Sequence, residues 1–391
     1  MPARIVYGLR FIRHFDRDSA DGADASTSLK AIRMRSFTGP GFGYLLIKSE
    51  LIRVTEDLPP SYFALVMATG IVSIASEHMG FNAIAHALAA INIVFYVCLW
   101  FLTACRILFF RKRFMADMRN HRLGAGYFTI VAATCVIGID FMVLGQGIRP
   151  AAFLLVLGIL LWLVLIYAVF TFFTVEAEKP PLQEGINGVW LVSVVSTQSV
   201  SALSCMMAPS TPAFRELIAF FSLTMFFVGC FLYLVLITLI FYRFMFFRLT
   251  AAELTHPYWI NMGAVAVTTL AGAVIVRHGS DIVFLNRFLP LTAGFTLLFW
   301  SVASWWIPLL LLLGAWRFLI RQENLFQYDH RDWGMVFPIG MYTVCTFQLA
   351  RTMDLDFLLV IPRLAIYAAL AAWSLAFLGL LRAIARRFRP N

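Results

Sequence analysis

The sequence predicts an all-α membrane protein with ten transmembrane helices, and three observations support this fold class. The chain of 391 residues is 61% hydrophobic and 13% charged, whereas soluble domains carry about 25% charged residues. Its apolar residues come in runs of about 20 or more, long enough for a helix to cross a bilayer. The strands of a membrane β-barrel would instead give short alternating segments. An ordinary soluble enzyme is thereby excluded.

Ten apolar runs are long enough to span a bilayer core of about 30 Å, and short polar loops separate them. Their approximate limits are 60–78, 83–109, 126–146, 151–175, 187–208, 215–245, 257–277, 290–318, 334–350 and 357–382. We therefore predict a membrane domain over residues 57–383. Residues 1–56 contain a Ser/Gly/Ala-rich stretch and no apolar run of signal-peptide length, which predicts a disordered cytoplasmic tail. Residues 384–391 are predicted to be a basic cytoplasmic tail.

The distribution of Lys and Arg predicts the orientation. Of the 31 such residues, 25 fall on the side of the termini, five fall on the other side, and Arg363 lies within the last run. Cytoplasmic loops of membrane proteins carry the excess of Lys and Arg. Both termini are therefore predicted to lie in the cytoplasm, with the protein in the plasma membrane, which is the inner membrane if the source is bacterial. The formal charge of +10 is then a topology signal and requires no nucleic-acid partner.

Odd and even runs differ in composition. Counted over slightly wider segments, Gly, Pro, Ser and Thr account for 34 of 110 residues in the odd set (59–79, 124–147, 185–209, 257–279 and 334–350) and for 19 of 146 in the even set (83–110, 151–176, 213–247, 290–319 and 357–383). Small residues let helices approach closely, and kinks at membrane depth persist only where protein or water satisfies the freed backbone groups. We therefore predict five hairpins, each with an inner odd helix and an outer even helix facing lipid. Five inner helices can enclose a central pore, and tight packing without a pore is the alternative.

Four segments at the starts of odd runs resemble one known family. They are Leu58–Ser73 (LPPSYFALVMATGIVS), Trp190–Ser196 (WLVSVVS), His256–Gly263 (HPYWINMG) and Trp333–Tyr342 (WGMVFPIGMY). Over residues 58–383 the chain is similar to the tellurite-resistance/dicarboxylate transporter family, which includes TehA, malic acid transport proteins, sulfite efflux pumps and the slow-type anion channel. The resemblance implies five inner and five outer helices around a quasi-fivefold central pore, in a homotrimer with one pore in each subunit.

The resemblance also implies a gate. In the family, a Phe beside a Pro kink in the ninth span plugs the pore, and Phe337 and Pro338 match this pair. Proline removes a backbone hydrogen bond and kinks the helix, and an apolar constriction can gate by excluding water. The alternative is that Phe337 is one of many Phe side chains packed in a helix bundle.

Small and polar positions of the inner helices are the candidate pore lining. These are Ser61, Thr69, Gly70, Ser73, Ser193, Ser196, Thr197, Ser201, Gly263, Gly340 and Thr343. Broken helices can direct partly positive N-terminal ends and free amides at the pathway, which favours anions without a ring of Arg. We expect about half of the hydroxyls to bond an upstream carbonyl or a neighbouring helix instead.

Three ionised residues are further candidates. Asp140 is the one acidic residue well inside an inner run, and it is a candidate for proton coupling. The alternative places Asp140 near the outer interface, paired with a Lys, an Arg or a backbone group. Arg277 and Arg351 lie at the outer ends of the seventh and ninth runs, where they could concentrate anions at the pore mouth or extend to the interface for structural reasons.

The resemblance implies transport of small anions, namely four-carbon dicarboxylates such as malate, or inorganic anions and oxyanions. A proton-coupled secondary transporter and an exporter of sulfite, tellurite or organic cations are the alternatives. A cation or drug exporter predicts several carboxylates in the inner runs, where only Asp140 qualifies. The histidines show no metal-site or quinone-site pattern, and no phosphate-binding loop is present. No enzymatic activity, cofactor or metal is therefore predicted.

Overall fold

The computed structural model describes residues 52–251, 253–254, 256–279, 282–321 and 328–387. Every element in these ranges is helical, as the sequence predicts. Ten helices of 15 or more residues lie within a few residues of the ten predicted runs. In chain order they are α1 (Ala64–His78), α2 (Asn82–Phe109), α3 (Phe128–Val143), α4 (Ile148–Val175), α5 (Val192–Met207), α6 (Arg215–Phe246), α7 (Ile260–Gly279), α8 (Leu289–Arg321), α9 (Trp333–Thr352) and α10 (Val360–Arg387).

The N-terminal tail differs from the prediction at its inner limit, because residues 52–56 are helical where the sequence predicts a disordered tail through residue 56. Helix α10 continues to Arg387, into the segment that is predicted to be a basic cytoplasmic tail. The remainder of both predicted tails lies outside the described residues.

Eight of the described helices are long and apolar enough to cross a membrane. The two long helices outside this set are α1 and α9. Helix α1 has 15 residues, which is about 22 Å at 1.5 Å per residue. The 3₁₀ turn Pro60–Phe63 adds about 8 Å at roughly 2 Å per residue. Together they approach the thickness of a bilayer core.

Each odd-numbered helix begins with a 3₁₀ turn, a common way to start an α-helix. The five turns are Pro60–Phe63, Gly124–Tyr127, Gly188–Leu191, His256–Trp259 and His330–Asp332. Consecutive turns contact one another, and the last contacts the first. The odd-numbered helices therefore begin at the same end of the molecule and run parallel.

The odd-numbered helices form a closed circle. Each contacts the next in chain order, and α9 contacts α1. We call these five the ring helices. Each even-numbered helix packs mainly against the ring helix before it and also contacts the next one around the circle. We call these five the flanking helices.

Burial separates the two sets. In the most apolar stretches of α3, α5 and α7, between 83% and 94% of the residues are buried, against 22% to 44% in the flanking helices. The flanking helices expose large apolar side chains, among them Phe101, Leu163, Phe231, Leu312 and Leu364. Exposed apolar area on this scale is characteristic of membrane-contact surfaces. It accounts for the Phe-rich and Leu-rich composition of the even runs.

A glycine lies at each of the five contacts between ring helices. If these residues carried a β-carbon, it would lie 3.2 Å or less from an atom of the neighbouring ring helix or its 3₁₀ turn. In order around the ring, the contacts are Gly126 with Ser61, Gly138 with Leu203, Gly188 with Pro257, Gly263 with Pro338 and Gly340 with Ile71. Close approach of backbones requires such small residues. The Gly enrichment of the odd runs thus serves ring closure.

Two buried arginines hold the segments that lead into ring helices. Arg106 of α2 donates to the carbonyl of Leu58 and pairs with Asp117. Arg243 of α6 donates to the carbonyl of Ile186 at 3.0 Å. Leu58 and Ile186 both lie two residues before a 3₁₀ turn. A buried arginine therefore fixes the start of α1 and the start of α5 in the same way.

Candidate functional site

The orientation of α9 in the ring follows from its contacts. Pro338 packs against Gly263 of α7, and Gly340 packs against α1. On another side, Thr346 accepts a hydrogen bond from Trp300 of the flanking helix α8 at 3.0 Å. The arc of α9 that lies between α7 and α1 and away from α8 faces the centre of the ring.

This arc carries a row of four residues. At 100° per residue, Phe337, Met341, Val344 and Gln348 lie on it, spaced at the intervals of four and three that keep residues on one side of a helix. We call them the centre row. Phe337, Met341 and Val344 are each 2% exposed or less. The centre row is therefore closed to water at the level of Phe337, and three of its four residues are apolar.

Three of the predicted lining hydroxyls face flanking helices. Thr69 accepts a hydrogen bond from Trp373 at 3.1 Å, and Thr197 accepts one from Trp162 at 2.8 Å. Ser201 donates to the carbonyl of a serine in α6 at 2.7 Å. These side chains join ring helices to flanking helices and do not come together at the centre.

Most of the other predicted hydroxyls are also used. Ser193, Ser196 and Thr343 each donate to a carbonyl three or four residues upstream. Thr343 lies about 120° around α9 from Phe337, by the same helical arithmetic. Ser61 is half-buried, and its hydroxyl has no hydrogen bond to a described residue, so it is the hydroxyl of this set that is left available.

The predicted glycines lie at helix contacts. Gly263 and Gly340 form two of the five ring contacts described above. A β-carbon on Gly70 would lie 2.7 Å from both Asn92 of α2 and Val136 of α3. The structure thus places the α-carbons of all three glycines against neighbouring helices.

In four ring helices a threonine pairs with a Trp or Tyr of the preceding flanking helix. The pairs are Thr69 with Trp373, Thr134 with Tyr96, Thr197 with Trp162, and Thr346 with Trp300. The sequence analysis named Thr69 and Thr197 as pore lining and missed Thr134 and Thr346. In α7, Thr268 donates to a carbonyl of its own helix. The threonines recur every 63 to 78 residues, close to the spacing of the ring helices, which is the signal that could have revealed them.

Thr197→Val is expected to lower stability and to leave anion flux unchanged. The substitution removes the acceptor of the buried Trp162 N–H and costs about 1 kcal/mol. The matched control is Thr268→Val, because the Thr268 hydroxyl donates to a carbonyl of its own helix. The melting temperature of the purified protein in detergent is expected to fall for Thr197→Val and to stay at the wild-type value for Thr268→Val. A change in anion selectivity without a change in melting would instead assign Thr197 to the pathway.

Asp140 is buried between two ring helices. Its side chain is 1% exposed and accepts a hydrogen bond from Ser73 of α1 at 2.9 Å. Ser73 also contacts the carbonyl of Ala85 in α2. Among the described residues, no Lys or Arg forms an ion pair with Asp140. Asp140 thus links α3 to α1 through Ser73.

Arg277 and Arg351 lie at the ends of α7 and α9, in different surroundings. Arg277 donates to the side-chain oxygen of Gln348 at 3.3 Å, so it reaches the centre row. Arg351 lies over the ring of Phe347, with its guanidinium carbon 5.7 Å from the centroid, and 3.8 Å from Asp356. The sequence analysis named both arginines and missed Gln348.

Comparison with known proteins identifies a family for most of the chain. Residues 57–381 match the SLAC1 family, described as voltage-dependent anion channel. An uncharacterized membrane protein of Mycobacterium tuberculosis is 35% identical over 155 residues, which is 40% of this chain and 78% of the relative.

Two relatives in Methanocaldococcus jannaschii bear the name uncharacterized transporter. One is 24% identical over 295 residues, covering 74% of this chain and 82% of the relative. The other is 23% identical over 297 residues, covering 74% and 84%. The family resemblance predicted from four sequence segments is confirmed. The chain belongs to the SLAC1 family of membrane anion channels and transporters.

Proposed function

We propose that the protein carries small anions across the plasma membrane through a pore at the centre of the ring, with Phe337 as the gate. In this proposal all ten long helices cross the bilayer, the ring helices line the pore, the flanking helices face lipid, and both termini are cytoplasmic. The observation that carries it is the position of Phe337 on the centre row, next to Pro338. A buried apolar side chain there blocks ions by excluding water.

Selectivity for anions follows from the parallel ring. The five ring helices begin at one end, where their N-terminal ends carry partial positive charge. The 3₁₀ turns at their starts add backbone N–H groups that have no carbonyl acceptor within the helix. This arrangement favours an anion without a ring of fixed cations that would bind it too tightly to release.

The substrate class of this proposal is four-carbon dicarboxylates such as malate, or inorganic anions and oxyanions including sulfite and tellurite. The test is flux into proteoliposomes with chloride, nitrate, sulfite and malate, compared with an organic cation. Flux that follows the anions supports the proposal. Flux that follows the organic cation would favour a drug or cation exporter and refute it.

Proton coupling through Asp140 is a second candidate function. It is supported by a buried carboxylate that has a hydroxyl as neighbour and, in the described part of the chain, no cation within ion-pair distance. Asp140→Asn is expected to abolish the dependence of anion uptake on an imposed pH gradient. Glu184→Gln, at a carboxylate that is 56% exposed in the short helix Leu182–Gly185, is the control. If anion uptake by wild type and by Asp140→Asn responds equally to the pH gradient, proton coupling through Asp140 is refuted and a passive channel is favoured.

We also propose a homotrimer in which each subunit carries its own pore. This proposal rests on the family resemblance. The mass of the detergent-solubilised protein, corrected for bound detergent, distinguishes a trimer from a monomer.

A further inference from the structure

Three ring helices meet at the end opposite the 3₁₀ turns, and we call this end the C-terminal mouth. His78 is the last residue of α1, and Arg277 and Gln348 lie in the last turns of α7 and α9. The side-chain nitrogen of Gln348 lies 3.1 Å from Nε2 of His78, and its oxygen accepts from Arg277 at 3.3 Å. Gln348 therefore connects α1 to α7 across the side of α9 that faces the centre.

Gln348 and Phe337 lie on the same path. They are 11 residues apart, which is about three helical turns and about 16 Å along α9. Met341 and Val344 lie between them on the centre row. An anion that reaches Phe337 from the C-terminal mouth must therefore first pass Gln348 and its two neighbours.

The C-terminal mouth is the unfavourable end of the ring for an anion. Five parallel helices end there, each with partial negative charge of roughly half an electron on its last carbonyls. An anion approaching this end is repelled unless fixed cations offset the carbonyls. Arg277 of α7 is such a cation, and it reaches the centre row through Gln348.

Arg277 has unused capacity for an anion. Its guanidinium carries five N–H donors, and the acceptor it meets among the described residues is the oxygen of Gln348. The side chain is exposed, and it forms no ion pair with a carboxylate in the part of the chain that the structure describes. A guanidinium with free donors binds a carboxylate or an oxyanion through two parallel hydrogen bonds.

We propose that Arg277 and Gln348 form an anion-admission site for carboxylates and small oxyanions at the C-terminal mouth. The anion replaces the oxygen of Gln348 as the acceptor for Arg277 and also accepts from the Gln348 amide. This breaks the connection between α9 and α7 as the anion enters. His78 is a positioning residue, because its ring stacks on Phe347 at 4.7 Å and holds the Gln348 amide from the other side. The inference rests on the proposed anion pathway.

Arg351 provides a matched control. It lies three residues after Gln348 on the same arc of α9 and is 52% exposed, but its guanidinium packs over Phe347 and lies 3.8 Å from Asp356. Arg277→Gln and Arg351→Gln remove the same charge. A diffuse electrostatic effect at the mouth would change both variants alike, whereas a binding site at Arg277 would not.

The test measures malate and nitrate flux against concentration in proteoliposomes. Arg277→Gln is expected to raise the half-saturating concentration about ten-fold, with maximal flux within about two-fold of wild type. This corresponds to about 1.4 kcal/mol of lost binding. Arg277→Lys keeps the charge without the two parallel donors and is expected to give an intermediate shift. Arg351→Gln is expected to change the half-saturating concentration less than about two-fold.

Two outcomes overturn the admission site. An equal shift in Arg277→Gln and Arg351→Gln would replace it by a general field, and no shift in Arg277→Gln would remove it. The concentration dependence of Arg277→Gln and Arg351→Gln is measured in the wild-type background and in the Phe337→Ala background. If neither background passes anions, the proposed function itself fails. If they pass anions and Arg277→Gln behaves as wild type, only the admission site fails.

Discussion

Phe337→Ala is expected to raise anion flux at least about ten-fold. The side chain is 2% exposed on the side of α9 that faces the ring centre. The substitution replaces the phenyl ring, which excludes water, with a methyl group. Water and ions can then enter the apolar constriction. Pro338 is unchanged and α9 runs as one helix from Trp333 to Thr352, so the helix is expected to retain its path. The measurement is initial chloride or malate flux into proteoliposomes at matched protein content.

The control for this gain is Ile339→Ala on the same helix. Ile339 lies about 160° around α9 from Phe337 by helical arithmetic, between the contact with α8 and the contact with α1. It loses a similar volume without opening the centre, so its flux is expected to match wild type. A gain of equal size in both variants would indicate a loosened bundle, and no gain in Phe337→Ala would exclude Phe337 as the gate.

Gly188→Ala is expected to cause the largest loss of folded protein. A β-carbon there would lie 2.3 Å from the carbonyl oxygen of Pro257, which is a backbone atom and cannot rotate away. The contact joins the starts of α5 and α7, so any shift opens the ring. Overpacking of this kind costs about 1–3 kcal/mol, and a rigid backbone neighbour places Gly188 at the upper end of that range.

The measurement is the apparent melting temperature in detergent together with the yield of monodisperse protein. Gly294→Ala in the flanking helix α8 is the control, because a β-carbon there meets nothing within 4 Å. Alanine favours a helix over glycine by up to about 1 kcal/mol, so the control should melt at or above the wild-type temperature. Melting of Gly188→Ala at the wild-type temperature would contradict the close contact between these two helices.

Helix positions were predictable because length and hydropathy decide them locally. A run of about 20 apolar residues has few alternatives in a bilayer, and the long helices match the predicted runs within a few residues. The spacing of the odd runs likewise anticipated five similar units. The family followed from four short segments at the starts of ring helices, where the 3₁₀ turns and the glycine contact at Pro257 constrain the sequence.

Side-chain directions within the ring helices were not predictable in the same way. Small and apolar residues occur all around these helices, so no amphipathic pattern separates the central side from the others. Polarity was used to choose the lining, and it selected Thr69 and Thr197, which bond Trp side chains of flanking helices. The centre row carries Met341 and Val344 instead. Only the contacts of α9 with its neighbours identified that side.

The closed circle of glycine contacts also limits how the protein can move. A carrier that alternates access rocks one bundle against another along a sliding interface. Here every ring helix has a close contact at a glycine on both sides, so such a movement would break two or more contacts at once. Side-chain rotation at Phe337 breaks none of them and takes place far faster than a domain rearrangement. Anion throughput is therefore expected to be set by the opening of a side-chain gate, with many ions passing in each open interval.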